Sequence, residues 1–131
     1  EHAMVVHSDG LDEIRLDATT HVVELKNGAI TEYDISPSDL GLEPRTDADL
    51  AGIVADSAAS SLALVRQSLS DDSSGAADIV ALNAGAAIYV SGVANSLSNG
   101  VAMAQDAISS GQAKQRLTEL VRITSLMSES S

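Results

Sequence analysis

The sequence lacks cysteine, phenylalanine and tryptophan altogether. Without cysteine it can form neither disulfide bonds nor a thiolate zinc site, and this composition fits a reducing compartment, so we expect a cytoplasmic protein. Tyr33 and Tyr89 are the only aromatic residues among 131, which excludes base-stacking platforms and aromatic ligand cages. We therefore expect one domain, over residues 1–131, whose core consists of Ala, Leu, Val and Ile.

Basic residues are also scarce. Seven Lys and Arg stand against 19 Asp and Glu, which gives a formal net charge of −12 at pH 7. Such a surface repels phosphate backbones and anionic lipids, so we expect neither nucleic acid nor a membrane as a partner. Residues 79–105 carry no charged side chain. Asn, Ser and Gly nevertheless interrupt the run of about 20 apolar residues that a membrane span needs, so this stretch predicts two buried helices.

The first 35 residues have the patterns of β-strands. Met4-Val5-Val6 is a short continuous apolar run, which indicates a strand buried on both faces and central in a parallel sheet. Segments 21–26 and 29–35 alternate apolar and polar residues and are separated by Asn27-Gly28, the preferred pair of a type I′ turn. We therefore predict that Asn27-Gly28 closes a two-residue hairpin. At residues 36–39 a helix start is expected to end after one turn, because Gly41 and Pro44 follow.

From residue 46 onward the apolar residues recur with a helical period. Thr46 and Asp49 resemble a capping box that Gly52 interrupts, and residues 71–75 are expected to end the first long helix. Four helices are predicted: one from about residue 56 with Ala58, Leu62, Val65 and Leu69 on one face, the most buried one over 76–90, one from Ser96 as N-cap to Gly111, and one through Leu117, Leu120, Val121 and Thr124.

The order of strands and helices predicts the fold class. Strands over 1–35 are followed by a helical part over 46–127 and a frayed tail over 128–131. This order is typical of an α+β protein or of the terminal half of a mixed α/β sheet.

Most motifs of enzyme chemistry are absent. There is no G-x-S-x-G and no phosphate-binding G-x-x-x-x-G-K-[ST] sequence. The three histidines, His2, His7 and His21, lack the spacing of metal ligands. We interpret them as strand or surface residues.

A dense group of acids follows the first predicted strand, and it contains Asp9, Asp12 and Glu13. Ligands of α/β sheets bind beyond the carboxyl ends of strands, and Mg²⁺ prefers one or two carboxylates together with substrate phosphate oxygens. Asp12 and Glu13 are therefore candidate Mg²⁺ ligands. They would share one ion if the backbone turned at Gly10, or hold one ion each. The alternative interpretation is an ordinary solvated acidic turn.

Four segments of the chain are distinctive: VVHSDGLDEI at 5–14, the Asn27-Gly28 hairpin, PSDLGL at 37–42 and LNAGAAIYVSG at 82–92. In this order and spacing they resemble the C-terminal part of the anthranilate phosphoribosyltransferase family. The resemblance implies a nucleoside-phosphorylase-like phosphoribosyltransferase fold. It also implies transfer of phosphoribosyl from phosphoribosyl pyrophosphate to the anthranilate amine in tryptophan biosynthesis, with Mg²⁺ on the diphosphate. In that family the adjacent acids of this motif serve the metal, which corresponds to Asp12 and Glu13.

The resemblance also implies what this chain does not carry. The family's glycine-rich diphosphate loop, its Lys-His-Gly-Asn-Arg segment and its anthranilate-contacting arginine belong upstream of residue 1. We therefore expect no catalytic residue here, substrate-binding residues upstream, a chain that is inactive alone, and a homodimer for the full-length enzyme.

Two positions bear on how close the resemblance is. Family members usually have Asp-Pro and a following Asn near residue 60, where this chain has Asp56-Ser57 and Ser60. This departure predicts a weaker helix start and leaves a related glycosyltransferase or nucleoside-phosphorylase-like paralogue as an alternative, beside a non-catalytic acidic interaction domain. Asn83 is interpreted as a buried amide that bridges helix ends and is satisfied by backbone groups, not as a site residue.

Overall fold

A computed structural model describes residues 1–46, 50–70 and 73–129. Within them lie strands β1 (His2–His7), β2 (Thr20–Lys26) and β3 (Ala29–Ile35) and helices α1 (Ala58–Ser68), α2 (Gly75–Val90), α3 (Leu97–Ser109) and α4 (Gln112–Glu129). Two short 3-10 helices, Pro37–Leu40 and Ala51–Ile53, precede α1. The mixed α/β fold class, with strands first and then four helices, is confirmed. The predictions at Asp49 and at Asp71-Asp72 lie outside the described residues.

The three strands form one antiparallel sheet in the order β1-β2-β3. Lys26 pairs with Ala29, and the two residues between them have φ angles of 54° at Asn27 and 83° at Gly28. Positive φ at both positions is the geometry of a type I′ turn, which twists the same way as the strands. The predicted hairpin is confirmed.

The prediction for β1 is wrong. This strand pairs antiparallel with β2 at one edge of the described sheet, and it alternates half-buried with exposed residues. Val5 is 68% exposed, whereas Met4 and Val6 pack against the core. Three consecutive apolar residues are too few to separate a strand buried on both faces from one that buries every second residue.

The core lies between the inward face of the sheet and helices α2 and α3. Thr20, Val22 and Glu24 point inward from β2 at every second position. Leu82 of α2 and Val101 of α3 are fully buried opposite them. Helix α2 buries seven residues, more than any other described helix, as its apolar pattern predicts.

Helices α2 and α3 touch through glycine. A methyl group on Gly100 would overlap the carbonyl oxygen of Gly85, and one on Gly85 would lie 2.6 Å from the backbone and side chain of Val101. A second buried cluster extends this contact, and it consists of three alanines and one isoleucine: Ala77, Ala81, Ala104 and Ile108. The two backbones therefore approach more closely than any side chain at residues 85 and 100 would allow.

The predicted helix boundaries hold, with two exceptions. Ser96 caps α3 and Gly92, with a φ of 80°, ends α2, as expected. Helix α1 begins at Ala58, and its start is capped: Ser57 Oγ accepts a hydrogen bond from Ser60 N at 3.1 Å, and Ser60 Oγ donates to Asp56 Oδ1 at 3.0 Å. Ser60 Oγ also accepts from Ser57 N at 3.0 Å, so the two serines satisfy each other's backbone amides in a capping box. Helix α4 continues to Glu129, so the tail predicted from residue 128 is helical there.

The apolar face predicted for α1 is not buried. Leu62 is 45% and Val65 is 41% exposed. Leu62 lines an open groove together with Leu117 and Val121 of α4. A helical period in the sequence shows which residues share a face, but the described residues hold no element that covers this one. Among the helices described, none is long and apolar enough to cross a membrane.

Glu24 is a buried carboxylate that joins the sheet to helix α2. Its Oε1 accepts hydrogen bonds from the Tyr89 hydroxyl and from His2 Nε2, both at 2.7 Å, and its Oε2 accepts one from the Tyr33 hydroxyl at 2.8 Å. Burial acts to raise the pKa of Glu24, but the hydrogen bonds from Tyr89, Tyr33 and His2 outweigh it, so the pKa lies below its ordinary value of 4.5. Burial and the neighbouring carboxylate raise the pKa of Tyr33, which therefore stays protonated and donates. Both tyrosines of the chain thus converge on one acid.

Gly100→Ala should destabilise the chain. The added methyl group meets backbone that cannot rotate away, so we expect a net loss of about 1–3 kcal/mol in the free energy of unfolding, measured by urea titration. Gly52→Ala is the control, since nothing lies within 4 Å of its added methyl group. If the Gly100→Ala chain were as stable as the Gly52→Ala chain, the close approach of α2 and α3 would not matter for stability.

Acid should destabilise the chain partly through Glu24. Because its folded-state pKa is lowered, its contribution to the free energy of unfolding is complete above pH 4.5 and is lost as the pH falls through the folded-state pKa. This part of the acid dependence should vanish in Glu24→Gln, measured by urea unfolding over a series of pH values. Glu32→Gln, at an exposed acid of β3, should behave like the parent. Identical pH curves for the parent and Glu24→Gln would contradict the assignment.

Candidate metal-binding turn

The acidic segment begins with a tight turn that continues from β1. Ser8 N donates to Leu11 O at 2.8 Å and Leu11 N donates to Ser8 O at 3.0 Å. Asp9 and Gly10 between them have φ angles of 43° and 84°. This is a second two-residue turn with positive φ at both positions, as in a type I′ turn. The signal that predicts it is the Asp-Gly pair, which is equivalent to Asn-Gly at the hairpin.

Asp12 and Glu13 follow the turn and face different surroundings. Asp12 Oδ1 lies 3.3 Å from His7 Nδ1, and the Asp12 side chain is 95% exposed. Glu13 is also exposed and lines an open groove with Ile53, Val65 and Ile79. It forms no hydrogen bond or ion pair with the part of the chain that the structure describes. The structure thus presents both predicted ligands to solvent, but it does not bring them to a common set of neighbours.

The rest of the loop is anchored in the interior. The side chains of Ile14 and Leu16 are fully buried in the main core cluster. Ser8 is buried as well, and its Oγ donates to the carbonyl oxygen of Thr19 at 2.9 Å, which closes the base of the loop. The acids therefore sit on a short exposed stretch between buried anchors.

Asn83 of α2 connects the helix to this loop. Its Oδ1 accepts a hydrogen bond from Ile14 N at 3.0 Å, and its Nδ2 donates to the carbonyl oxygens of Ile14 and Ile79, each at 3.0 Å. Asn83 is half-buried and not buried as predicted, but its interpretation as an amide satisfied by backbone is confirmed. It joins a helix to a loop, however, and does not bridge helix ends.

A basic side chain that the sequence did not single out lies beside the turn. Arg15 Nε donates to Asp17 Oδ1 at 2.7 Å, and Arg15 Nη2 pairs with Asp17 Oδ2. The hydrogen bonds from Arg15 hold the pKa of Asp17 below its ordinary range, although burial of the carboxyl opposes them. Arg15 Nη1 also lies 3.8 Å from Asp9 Oδ2. Arg15 thus partly offsets the negative charge of the acidic segment.

The donor set suits a hard cation that brings other ligands. Carboxylate oxygens are the ligands that Mg²⁺ prefers, and it keeps several waters or phosphate oxygens around it. No group of three or more His, Asp or Glu side chains in residues 1–46, 50–70 and 73–129 is placed to hold a metal ion. Two exposed carboxylates fit Mg²⁺ on these terms, with most coordination positions left to water and phosphate.

Comparison with known proteins identifies relatives over nearly the whole chain. Residues 1–114 match the glycosyl transferase family, a/b domain. The anthranilate phosphoribosyltransferase of Marinomonas sp. (strain MWYL1) is 55% identical over 129 residues, which is 95% of this chain and 36% of that protein. The enzyme of the same name from Teredinibacter turnerae is 49% identical over 131 residues, which is 96% of this chain and 38% of that protein. The resemblance seen in the sequence is confirmed, and the chain spans little more than a third of these relatives.

Solved structures give the same result for the fold. Anthranilate phosphoribosyltransferase from Thermus thermophilus superposes with a TM-score of 0.79 at 34% identity, over 92% of this chain and 35% of that one. The Saccharomyces cerevisiae enzyme in complex with 4-fluoroanthranilate gives a TM-score of 0.72 at 22% identity, over 89% and 34%, a likeness of fold alone. The predicted phosphoribosyltransferase fold is confirmed.

Gly10→Val should destabilise the acidic turn through its backbone. Nothing lies within 4 Å of a methyl group added at Gly10, so the cost is that of a φ of 84°, about 1–2 kcal/mol for a residue with a branched side chain. Gly10→Asn is the matched control, because Asn tolerates positive φ, and it should cost markedly less. Urea unfolding measures both. Equal losses for the two variants would rule out the strained turn.

Proposed function

The chain belongs to the glycosyl transferase family, and on that premise we propose that it is part of an anthranilate phosphoribosyltransferase. The proposed reaction transfers phosphoribosyl from phosphoribosyl pyrophosphate to the amine of anthranilate, a step of tryptophan biosynthesis. The observation that carries the proposal is the identity of 55% over 129 residues with an enzyme of that name. Because the chain covers about a third of such enzymes, the complete reaction requires residues outside it.

The proposed role of Asp12 and Glu13 is to hold Mg²⁺. The exposure of both carboxylates supports this role, since an ion that also binds a substrate diphosphate must be reachable from solvent. Asp12 lies beside His7 and Glu13 lies in the groove between α1 and α2, an arrangement that supports one ion for each acid over a single shared ion.

The chemistry needs charge stabilisation more than proton transfer. Departure of pyrophosphate leaves an oxocarbenium-like ribose, and bound Mg²⁺ would stabilise the charge on the leaving group. Asp12 and Glu13 would fix the position of the ions without exchanging protons with the substrate. The phosphate cradle and the acceptor pocket would come from residues beyond this chain.

Two further parts of the proposal concern the complete protein. We expect it to be a homodimer, as the family resemblance implies. We also expect it in the cytoplasm, because the 131 residues of this chain contain no cysteine and need no disulfide to fold.

The proposal is tested in a chimera. The matching segment of the Marinomonas enzyme is replaced by this chain, and formation of phosphoribosyl anthranilate is measured. Asp12→Asn with Glu13→Gln should lower kcat by about 100-fold or more, because a metal contributes several kcal/mol and about 1.4 kcal/mol is tenfold in rate. Asp9→Asn, at an exposed acid of the preceding tight turn, should retain the rate.

Each outcome of this experiment has a definite meaning. A folded chimera that forms no phosphoribosyl anthranilate would contradict the proposal and favour the paralogous transferase, because the acceptor pocket of the chimera comes from the Marinomonas enzyme. A double variant with unchanged rate and Mg²⁺ dependence would show that Asp12 and Glu13 belong to an ordinary solvated turn. In that case the free energy of unfolding of the double variant should differ from that of the parent by less than about 0.5 kcal/mol. The 131-residue chain alone should show no activity, and measurable turnover would contradict the assignment of the other site residues to regions outside it.

A further inference from the structure

We infer that Asn83 is a positioning residue that fixes the orientation of the acidic segment, an inference that rests on the proposed function because it concerns the carboxylates assigned to the metal. Asn83 contacts neither acid. It binds the backbone of Ile14, the residue that directly follows Glu13, on both its N–H and its carbonyl sides.

The acidic segment depends on its flanks for its position. Two backbone hydrogen bonds between Ser8 and Leu11 close the tight turn, and no backbone hydrogen bond among the described residues involves Asp12 or Glu13. The positions of these two residues are therefore set by their neighbours, the tight turn on one side and Ile14 on the other. The orientation of the peptide planes at Ile14 therefore determines the direction in which the Glu13 side chain projects from the surface.

Burial of the Ile14 side chain cannot set that direction by itself. Hydrophobic contact is non-directional, so it fixes how deep Ile14 sits and leaves rotation of the adjoining peptide planes open. Hydrogen bonds are directional, and the two bonds from the planar Asn83 amide to the N–H and the C=O of Ile14 restrict both peptide planes that meet at that residue. The third bond, from Asn83 Nδ2 to Ile79 O one turn earlier, fixes the amide itself.

Asn83 is also attached to a rigid support. It lies two residues before Gly85, where α2 meets α3 in backbone contact. A site is precise when its positioning groups stand on such elements and not on loops. The hydrogen bonds of Asn83 thus anchor the exposed acidic segment to the rigid pair of helices α2 and α3.

The test uses Asn83→Ala in the 131-residue chain, followed by NMR at a temperature well below unfolding. Amide hydrogen exchange of Ile14 should accelerate by about tenfold or more, while that of Val22 in β2 stays unchanged. Mn²⁺ alone serves as a paramagnetic probe for the Mg²⁺ site. It should broaden the amide signals of Asp12 and Glu13 selectively in the parent chain, and the affinity derived from that broadening should fall several-fold in the variant.

Two further variants keep the result interpretable. Asn99→Ala removes an exposed side-chain amide of α3 whose one hydrogen bond among the described residues is donation to Asn95 Oδ1, and it should leave both readouts at the parent values. If Asn83→Ala does not fold, Asn83→Asp keeps the size of the side chain but turns an oxygen toward two carbonyl oxygens, and it should shift both readouts in the same direction. In the chimera, Asn83→Ala should raise the Mg²⁺ concentration for half-maximal rate and leave the KM for anthranilate unchanged.

Several results would overturn the inference. One is unchanged amide exchange at Ile14. Another is equal acceleration of amide exchange at Ile14 and Val22, which indicates global destabilisation alone. The third is an unchanged Mn²⁺ affinity at Asp12 and Glu13. Absence of selective broadening in the parent chain would count against the proposed metal role instead. In that case the exchange data alone would still decide whether Asn83 orients the segment.

Discussion

The backbone contact between α2 and α3 at Gly85 and Gly100 is the constraint on which the other tertiary interactions depend. It fixes α2, and three polar side chains of α2 each fix another part of the molecule. Asp78 at its start accepts from Arg45 Nε at 3.1 Å, Asn83 in its middle binds the loop at Ile14, and Tyr89 near its end binds Glu24 of the sheet. The loop, the sheet and the segment before α1 are thus all positioned relative to one helix.

The composition explains why this arrangement uses small residues. Without Phe or Trp, the chain cannot fill a wide gap between elements with single large side chains. Ala and Gly at the helix contact bring the backbones together instead, and close packing recovers dispersion energy that large side chains would otherwise supply. The two aromatic residues that remain, Tyr33 and Tyr89, are both placed where a hydroxyl satisfies the buried carboxylate of Glu24.

Local signals in the sequence predict local structure here, and they do so at named residues. Three local predictions are confirmed, because each depends on a few neighbouring residues: the Asn27-Gly28 hairpin, the Ser96 cap and the buried apolar pattern of α2. The predicted environment of β1 is wrong, because a short apolar run does not show which element lies opposite, and for the same reason the helical period of α1 does not indicate that Leu62 and Val65 are exposed. The partner of Asn83 is 69 residues away, so no spacing rule could find it. The turn at Asp9-Gly10, by contrast, carries a signal equal to that of the hairpin.

The candidate site separates its anchors from its acids. Ser8, Ile14 and Leu16 are buried and contribute to stability, whereas Asp12 and Glu13 are exposed and contribute little to packing. This separation suits the proposed binding of a strongly hydrated cation, because the carboxylates stay in water in the free chain and their desolvation is avoided there. The orientation of the two carboxylates then has to come from the residues that flank and support them. Three features supply it: the two-residue turn at Asp9-Gly10, the buried Ile14 and the Asn83 amide bound to the Ile14 backbone. Together they restrict the backbone of the acidic segment and leave the two carboxylates exposed.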